Sequence, residues 1–257
     1  MIASHLPILQ IVIPLMAAPV CLLLRHAFLA WLLSTLVTFV TFAISIALLM
    51  QVLNEGPQSY ALGNWAPPWG IEYYVDQLSA FILVIVAGIG SLVMPFAYQS
   101  VEKEVSAERI YLFYVMYLLC LTGLLGISIT GDAFNLFVFL EISSLSSYVL
   151  ISLGKDKRAL TGAFNYLIMG TIGATFYVIG VGALYMMTGT LNMADLAARL
   201  PDLLHLRVVE AALAFLIVGI SLKLALFPLH FWLPNAYAVA PTAVTGCLAA
   251  TATKVSV

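Results

Sequence analysis

Two residues of opposite charge sit where charge is poorly solvated. Glu141 lies within Phe134–Ile151, FNLFVFLEISSLSSYVLI, a run otherwise free of charge, nine residues after Asp132. On a helix that is about 14 Å from Asp132, at 1.5 Å per residue. So short a side chain cannot reach back to water over that distance. Lys223 lies fifteen residues after Val208 and twelve before Asn235, near the middle of another apolar stretch. An ionisable residue deep in such a segment costs a few kcal/mol and marks an ion path or proton relay by default. Around Glu141, Ser144 at i+3 and Tyr148 at i+7 continue a polar helix face that would support a wet path. The rival role for Glu141 is a hydrogen bond gluing neighbouring helices together. Two more titratable residues belong to the set. His230 follows Lys223 at i+7 and would carry a relay onward, its ordinary pKa near 6.5 allowing either charge state; alternatively it donates to a carbonyl near a helix end. Lys254, thirteen residues past Pro241 and close to Thr251 and Thr253, is expected as a third buried group.

The composition says what surrounds these charges. Of 257 residues, 63% are hydrophobic and only 9% are charged, with mean hydropathy +1.08. Soluble domains run nearer half apolar and a quarter charged, so an ordinary soluble enzyme is excluded and an integral membrane protein is implied. A net charge of −2 leaves no basic field for nucleic acid. Cys21, Cys120 and Cys247 stand alone in apolar stretches and read as small packing residues. P-loop, HExxH and GxSxG patterns are missing, and Gly180-Val-Gly182 lies inside an apolar run with no strand before it. The sequence therefore predicts no metal, no cofactor and no enzyme chemistry of its own.

The elements that must position these residues are spanning helices, each needing about 20 apolar residues. Eight such runs are predicted, at about 6–24, 28–53, 76–98, 110–129, 133–153, 159–188, 208–233 and 241–257. A signal peptide is the alternative for the first, but it lacks a positive n-region. Pro228, five residues after Lys223, removes a backbone donor and should break the seventh helix, freeing the Leu224 carbonyl. Unwound backbone at that depth is tolerated where it lines a hydrated cavity. Gly162, Gly170, Gly173, Gly180 and Gly182 predict close helix contact along span six, with Gly170 and Ala174 at small-xxx-small spacing. Between spans lie turn signals, a polar 189–207 stretch, and Trp65, Trp69, Tyr73 and Tyr74, which fit an aromatic belt. Loops after spans one, three, five and seven carry Arg25, Lys103, Arg109, Lys155, Lys157 and Arg158, against Arg199 and Arg207 on the other side. The positive-inside rule then places the N-terminus outside the cytoplasm. Span eight meets the end of the sequence without a polar flank, as expected of a chain cut from something longer.

Four segments carry a family likeness: Val75-Asp76-Gln77-Leu78-Ser79; Gly131-Asp132 through Phe139-Leu140-Glu141; Lys223 through Phe227-Pro228, His230, Trp232-Leu233-Pro234 and Tyr237; and Ala240-Pro241-Thr242 through Thr253-Lys254-Val255. The chain resembles the antiporter-like subunits of Mrp-type multisubunit Na⁺/H⁺ antiporters, respiratory complex I and membrane-bound hydrogenases, most of all the D-type subunits of the Mrp branch. The likeness covers essentially the whole chain.

It implies an all-α polytopic fold of about fourteen helices with two inverted five-helix repeats, each holding a broken helix. This chain would be one transmembrane domain, 1–257, with the first repeat at about 110–257 and the second repeat absent. The resemblance further implies proton translocation through Glu141, its partner Lys223 on the broken helix, His230 after the break, and Lys254 passing protons onward. Implied partners are other membrane subunits of a hetero-oligomeric assembly, protons with Na⁺ or K⁺, and the lipid bilayer of the cell's inner membrane. The alternatives are a proton-pumping subunit of a complex I-like or hydrogenase assembly, with all electron chemistry elsewhere, and a structural subunit whose charges are merely paired.

Overall fold

The computed structural model describes residues 3–255. Six of its helices are long and apolar enough to cross a bilayer. They are α1 (Leu6–Leu24), α2 (Ala27–Glu55), α3 (Gln77–Glu104), α4 (Ile110–Ile129), α5 (Ala133–Ser152) and α6 (Arg158–Thr188), close to their predicted runs except that α3 continues past 98 to Glu104. Beyond them come α7 (Met193–Leu203), α8 (Arg207–Leu224), α9 (Trp232–Val239) and α10 (Thr242–Val255). The predicted seventh span, 208–233, is thus α8 and the irregular stretch after it, ending at the start of α9, while α10 supplies 14 described residues of the eighth. The chain is a multi-pass, helical membrane protein.

α4 lies at the centre. Its apolar residues run all round the helix, so it offers no face to water, and it is buried against α1, α3 and α5. Phe113, Tyr114, Tyr117, Leu118, Leu121 and Leu125 form the heart of the core. A second apolar cluster joins α5, α6, α7 and α8 through Tyr177, Val181, Leu196, Val209 and Ala212. Lipid tails are as apolar as leucine, so helices in a bilayer associate through close packing instead of through water release. Small residues supply that closeness. A Cβ on Gly219 of α8 would meet the Gly173 carbonyl oxygen at 2.7 Å and the Tyr177 nitrogen at 2.8 Å, so α6 and α8 touch backbone to backbone. Gly182 has open space around it, which corrects its reading as a contact glycine. Gly170 faces the Tyr148 hydroxyl of α5.

The ends of the bundle hold structure that the apolar pattern does not announce. Between α2 and α3, strands β1 (Gln58–Ala61) and β2 (Glu72–Val75) pair antiparallel. Trp65 and Trp69 project from this connection, but Tyr73 is buried, because β2 bridges to Thr130 and seats that ring against Phe139. Tyr73 therefore leaves the predicted aromatic belt, and burial raises its hydroxyl to about 12. The polar 189–207 stretch contains α7, an amphipathic helix capped by the Asn192 side chain accepting from the Asp195 amide. At the same end Gly131 donates to the Glu72 carbonyl and Met193 to the Gly131 carbonyl, both at 2.8 Å. The Glu72 carboxylate receives Ser59 Oγ and Asn192 Nδ2. At the opposite end, the Glu104 carboxylate accepts from Thr242 N at 2.5 Å and from Thr242 Oγ1 at 2.6 Å, fastening α3 to the first turn of α10.

Candidate functional site

Two consecutive features make the break in α8. Phe227 precedes a proline and is excluded from helical backbone, and Pro228 has no N–H to donate. The helix nevertheless stops earlier than the proline alone requires. Ala225 takes a left-handed conformation at φ 55°, and the Leu226 amide folds back onto the Ser221 carbonyl at 3.0 Å, a Schellman-type closure with alanine where glycine is usual. The Leu222 carbonyl also loses its helical donor, since the Leu226 amide turns to Ser221. It receives Trp232 Nε1 at 3.0 Å and, less closely, the Ala225 amide at 3.3 Å. The Trp232 indole lies parallel to Tyr166 of α6, with 4.0 Å between ring centroids and 2° between planes. Tyr166 in turn meets Tyr148 of α5 edge to face at 4.6 Å. An aromatic column thus holds the broken end against α5 and α6.

Lys223 is the penultimate residue of α8 and is 8% exposed. Its Nζ donates to Ser144 Oγ on α5. The expected direct contact with Glu141 is not formed: none of the three ion pairs among the described residues, Asp156–Arg158, Asp195–Arg199 and Arg207–Glu210, includes either residue. The reason is helical geometry. Ser144 and Glu141 are three residues apart on one face, and the lysine reaches the hydroxyl while the carboxylate lies about one turn away. Glu141 itself is half-buried on α5. Its Oε1 is buried without a hydrogen-bond partner, as is His230 Nδ1.

Space adjoins the lysine on two sides. A cavity of about 450 Å³ is lined by Lys223, Gly219, Tyr177, Ser128, Thr130 and Ser79 among others, and so extends toward the hairpin end. A second, of about 20 Å³, is bounded by Lys223, Ser143, Ser144, Ser147, Tyr166 and Ala252. It has room for about one water. Asp132 caps α5, its Oδ1 accepting from the Asn135 amide at 2.7 Å, and burial pushes its carboxyl above the ordinary range.

The other two predicted residues stand apart. His230 sits in the irregular stretch between α8 and α9, its ring 5.5 Å from that of Phe227. Lys254 is exposed, which corrects the expectation of burial. Its Nζ turns back along its own helix to the Ala249 carbonyl at 2.5 Å and Thr253 Oγ1 at 3.0 Å, as cations in a last helical turn commonly do. The structure therefore brings together Glu141, Lys223 and Ser144, with His230 beyond the break. Ser144 was visible in the sequence only as part of a polar stripe, and Trp232 only within the family-like segment after Pro228; Tyr166 gave no signal beyond being aromatic.

Residues 130–257 match the family described as NADH:quinone oxidoreductase/Mrp antiporter, transmembrane. The chain is 44% identical over 256 residues to the N subunit of the NADH-quinone oxidoreductase of Desulforudis audaxviator, covering 98% of this chain and 51% of that protein. It is 33% identical over 255 residues to the D-type Na⁺/H⁺ antiporter subunit of Alkalihalophilus pseudofirmus, covering 99% of this chain and 51% of the relative. Among solved structures, a chain of the membrane-bound sulfane sulfur reductase, an archaeal respiratory membrane complex, superposes with TM-score 0.92 at 33% identity, covering 98% of this chain and 51% of its own length. The chain spans about half the length of the curated relatives it matches.

Proposed function

Because the chain belongs to the NADH:quinone oxidoreductase/Mrp antiporter transmembrane family, we propose that it is a proton-translocating subunit of a multisubunit monovalent cation/H⁺ antiporter. The observation that carries this reading is Lys223: a buried amine at a broken helix end, hydrogen-bonded to a neutral hydroxyl, beside open space and about one turn from a carboxylate with an unpartnered oxygen. A carboxylate within about 4–6 Å favours a charged lysine, whereas desolvation favours the neutral amine, so a change in the Glu141 distance loads or unloads the proton. In this account the larger cavity admits protons from the hairpin end, His230 leads onward past the break, and Lys254 hands protons to a neighbouring element. Residues 1–257 form one transmembrane domain whose first repeat begins near 110. The N-terminus lies outside the cytoplasm, and the membrane is the cell's inner membrane. Other membrane subunits complete the assembly, and Na⁺ or K⁺ is the counter-ion.

One observation favours a second reading. The 44% identical relative is named as a subunit of NADH-quinone oxidoreductase, and in such an assembly the same lysine would serve proton pumping with electron transfer confined to other subunits. Everted vesicles carrying the whole complex test both. Dissipation of an imposed ΔpH on adding Na⁺ or K⁺, lost in Lys223→Ala, supports antiport. Generation of ΔpH by NADH alone, with no response to either cation, supports the second reading. Wild-type exchange by well-assembled Lys223→Ala would overturn the lysine's role.

A further inference from the structure

We propose that Ser144 is a positioning residue for Lys223, its hydroxyl serving the lysine in either charge state. This rests on the reading of Lys223 as a proton carrier. Ser144 Oγ receives Lys223 Nζ and donates its own proton to the Leu140 carbonyl at 2.6 Å. A hydroxyl has one proton and two acceptor lone pairs. With the proton committed to Leu140, the oxygen can only accept from the lysine, and an ammonium, with three donors and no acceptor, needs such a partner.

The discharged amine has a lone pair of its own. The Ser144 hydroxyl satisfies it by turning away from Leu140, whose carbonyl keeps its helical donor, the Ser144 amide. Ser143 Oγ also donates to that carbonyl, at 3.0 Å. The rotation therefore exchanges one hydrogen bond for another and strands no buried group. Glu141 could not play this part, since an ionised carboxylate accepts and never donates. A serine as the lysine's partner lets the amine gain and lose its proton without moving α5 or α8. The departing proton passes from the Lys223 ammonium to water in the adjoining space, and Ser144 keeps its own.

The test uses the complete assembled complex in everted vesicles, with cation-dependent ΔpH dissipation as the rate and native gels for assembly. Ser144→Ala and Ser144→Val should slow exchange about tenfold. Ser144→Thr, with the shape of valine and the hydroxyl of serine, should stay within about twofold of wild type. If Ser144→Ala does not assemble, the Thr and Val pair decides. Wild-type rates in Ser144→Ala, or equal rates in Thr and Val, overturn the role of Ser144. Lys223→Ala separates the layers: if it is inactive while Ser144→Ala is normal, only the serine inference falls, and if it exchanges normally, the reading of Lys223 falls first.

Discussion

The indole of Trp232 closes the broken end of α8 one residue before Lys223, and replacing it should loosen the lysine in two separable steps. Trp232→Phe removes the Nε1–H donor to the Leu222 carbonyl at 3.0 Å and keeps a ring over Tyr166. That carbonyl retains the Ala225 amide at 3.3 Å, so the loss is that of one ordinary hydrogen bond, about 1 kcal/mol. Trp232→Ala also removes the parallel ring at 4.0 Å from Tyr166. Aromatic pairs contribute about 0.5–1.5 kcal/mol beyond their area, and emptying a buried aromatic site costs about 3–5 kcal/mol in all. Trp232 is 3% exposed, so its site qualifies as buried. Reversible unfolding of the purified complex in mixed micelles measures both variants. The Ala variant should lose about three times as much stability as the Phe variant, and exchange should fall in the same order. Equal losses would mean that the ring stack contributes nothing and that the column through Tyr166 and Tyr148 does not hold the break.

Two further outcomes follow from orientation and packing. A cysteine at Gln58 should react with an impermeant thiol reagent from outside the cell and one at Lys155 only from the cytoplasm; the reverse pattern would invert the topology. Gly219→Ala should force α8 away from the Gly173 backbone, costing about 1–3 kcal/mol, while Gly182→Ala, with open space around it, should be neutral or stabilising by up to about 1 kcal/mol. Thermal unfolding of the complex checks the pair, and equal effects would refute the backbone contact.

The spanning helices were legible because length and apolarity set them: the runs at 110–129 and 133–153 became Ile110–Ile129 and Ala133–Ser152. The break was legible in kind through Pro228 but displaced in position, since Ala225 is a residue type that does not advertise a left-handed turn. The hairpin was hidden because ten residues separate its strands and no Asn-Gly or Asp-Gly turn marks it. α7 carried a readable stripe in Leu196, Leu200 and Leu203, masked by the polar residues between them. Of the candidate site, the depth of Glu141 and Lys223 could be read from spacing. The choice of Ser144 as the lysine's partner could not, because 79 residues separate them and only the packing of α5 on the broken end decides which residue of the stripe lies within reach. Lys254 was misplaced for a similar reason: depth along a helix does not say what covers its last turn.

The central claim is that Lys223 works by gaining and losing a proton, not by its charge alone. Arginine keeps a cation at this position but holds its proton at any physiological pH. The decisive measurement is cation-dependent ΔpH dissipation in everted vesicles carrying the assembled complex with Lys223→Arg. A proton carrier predicts exchange nearly as low as in Lys223→Ala, whereas exchange close to wild type in the arginine variant would contradict the account and leave Lys223 a structural charge.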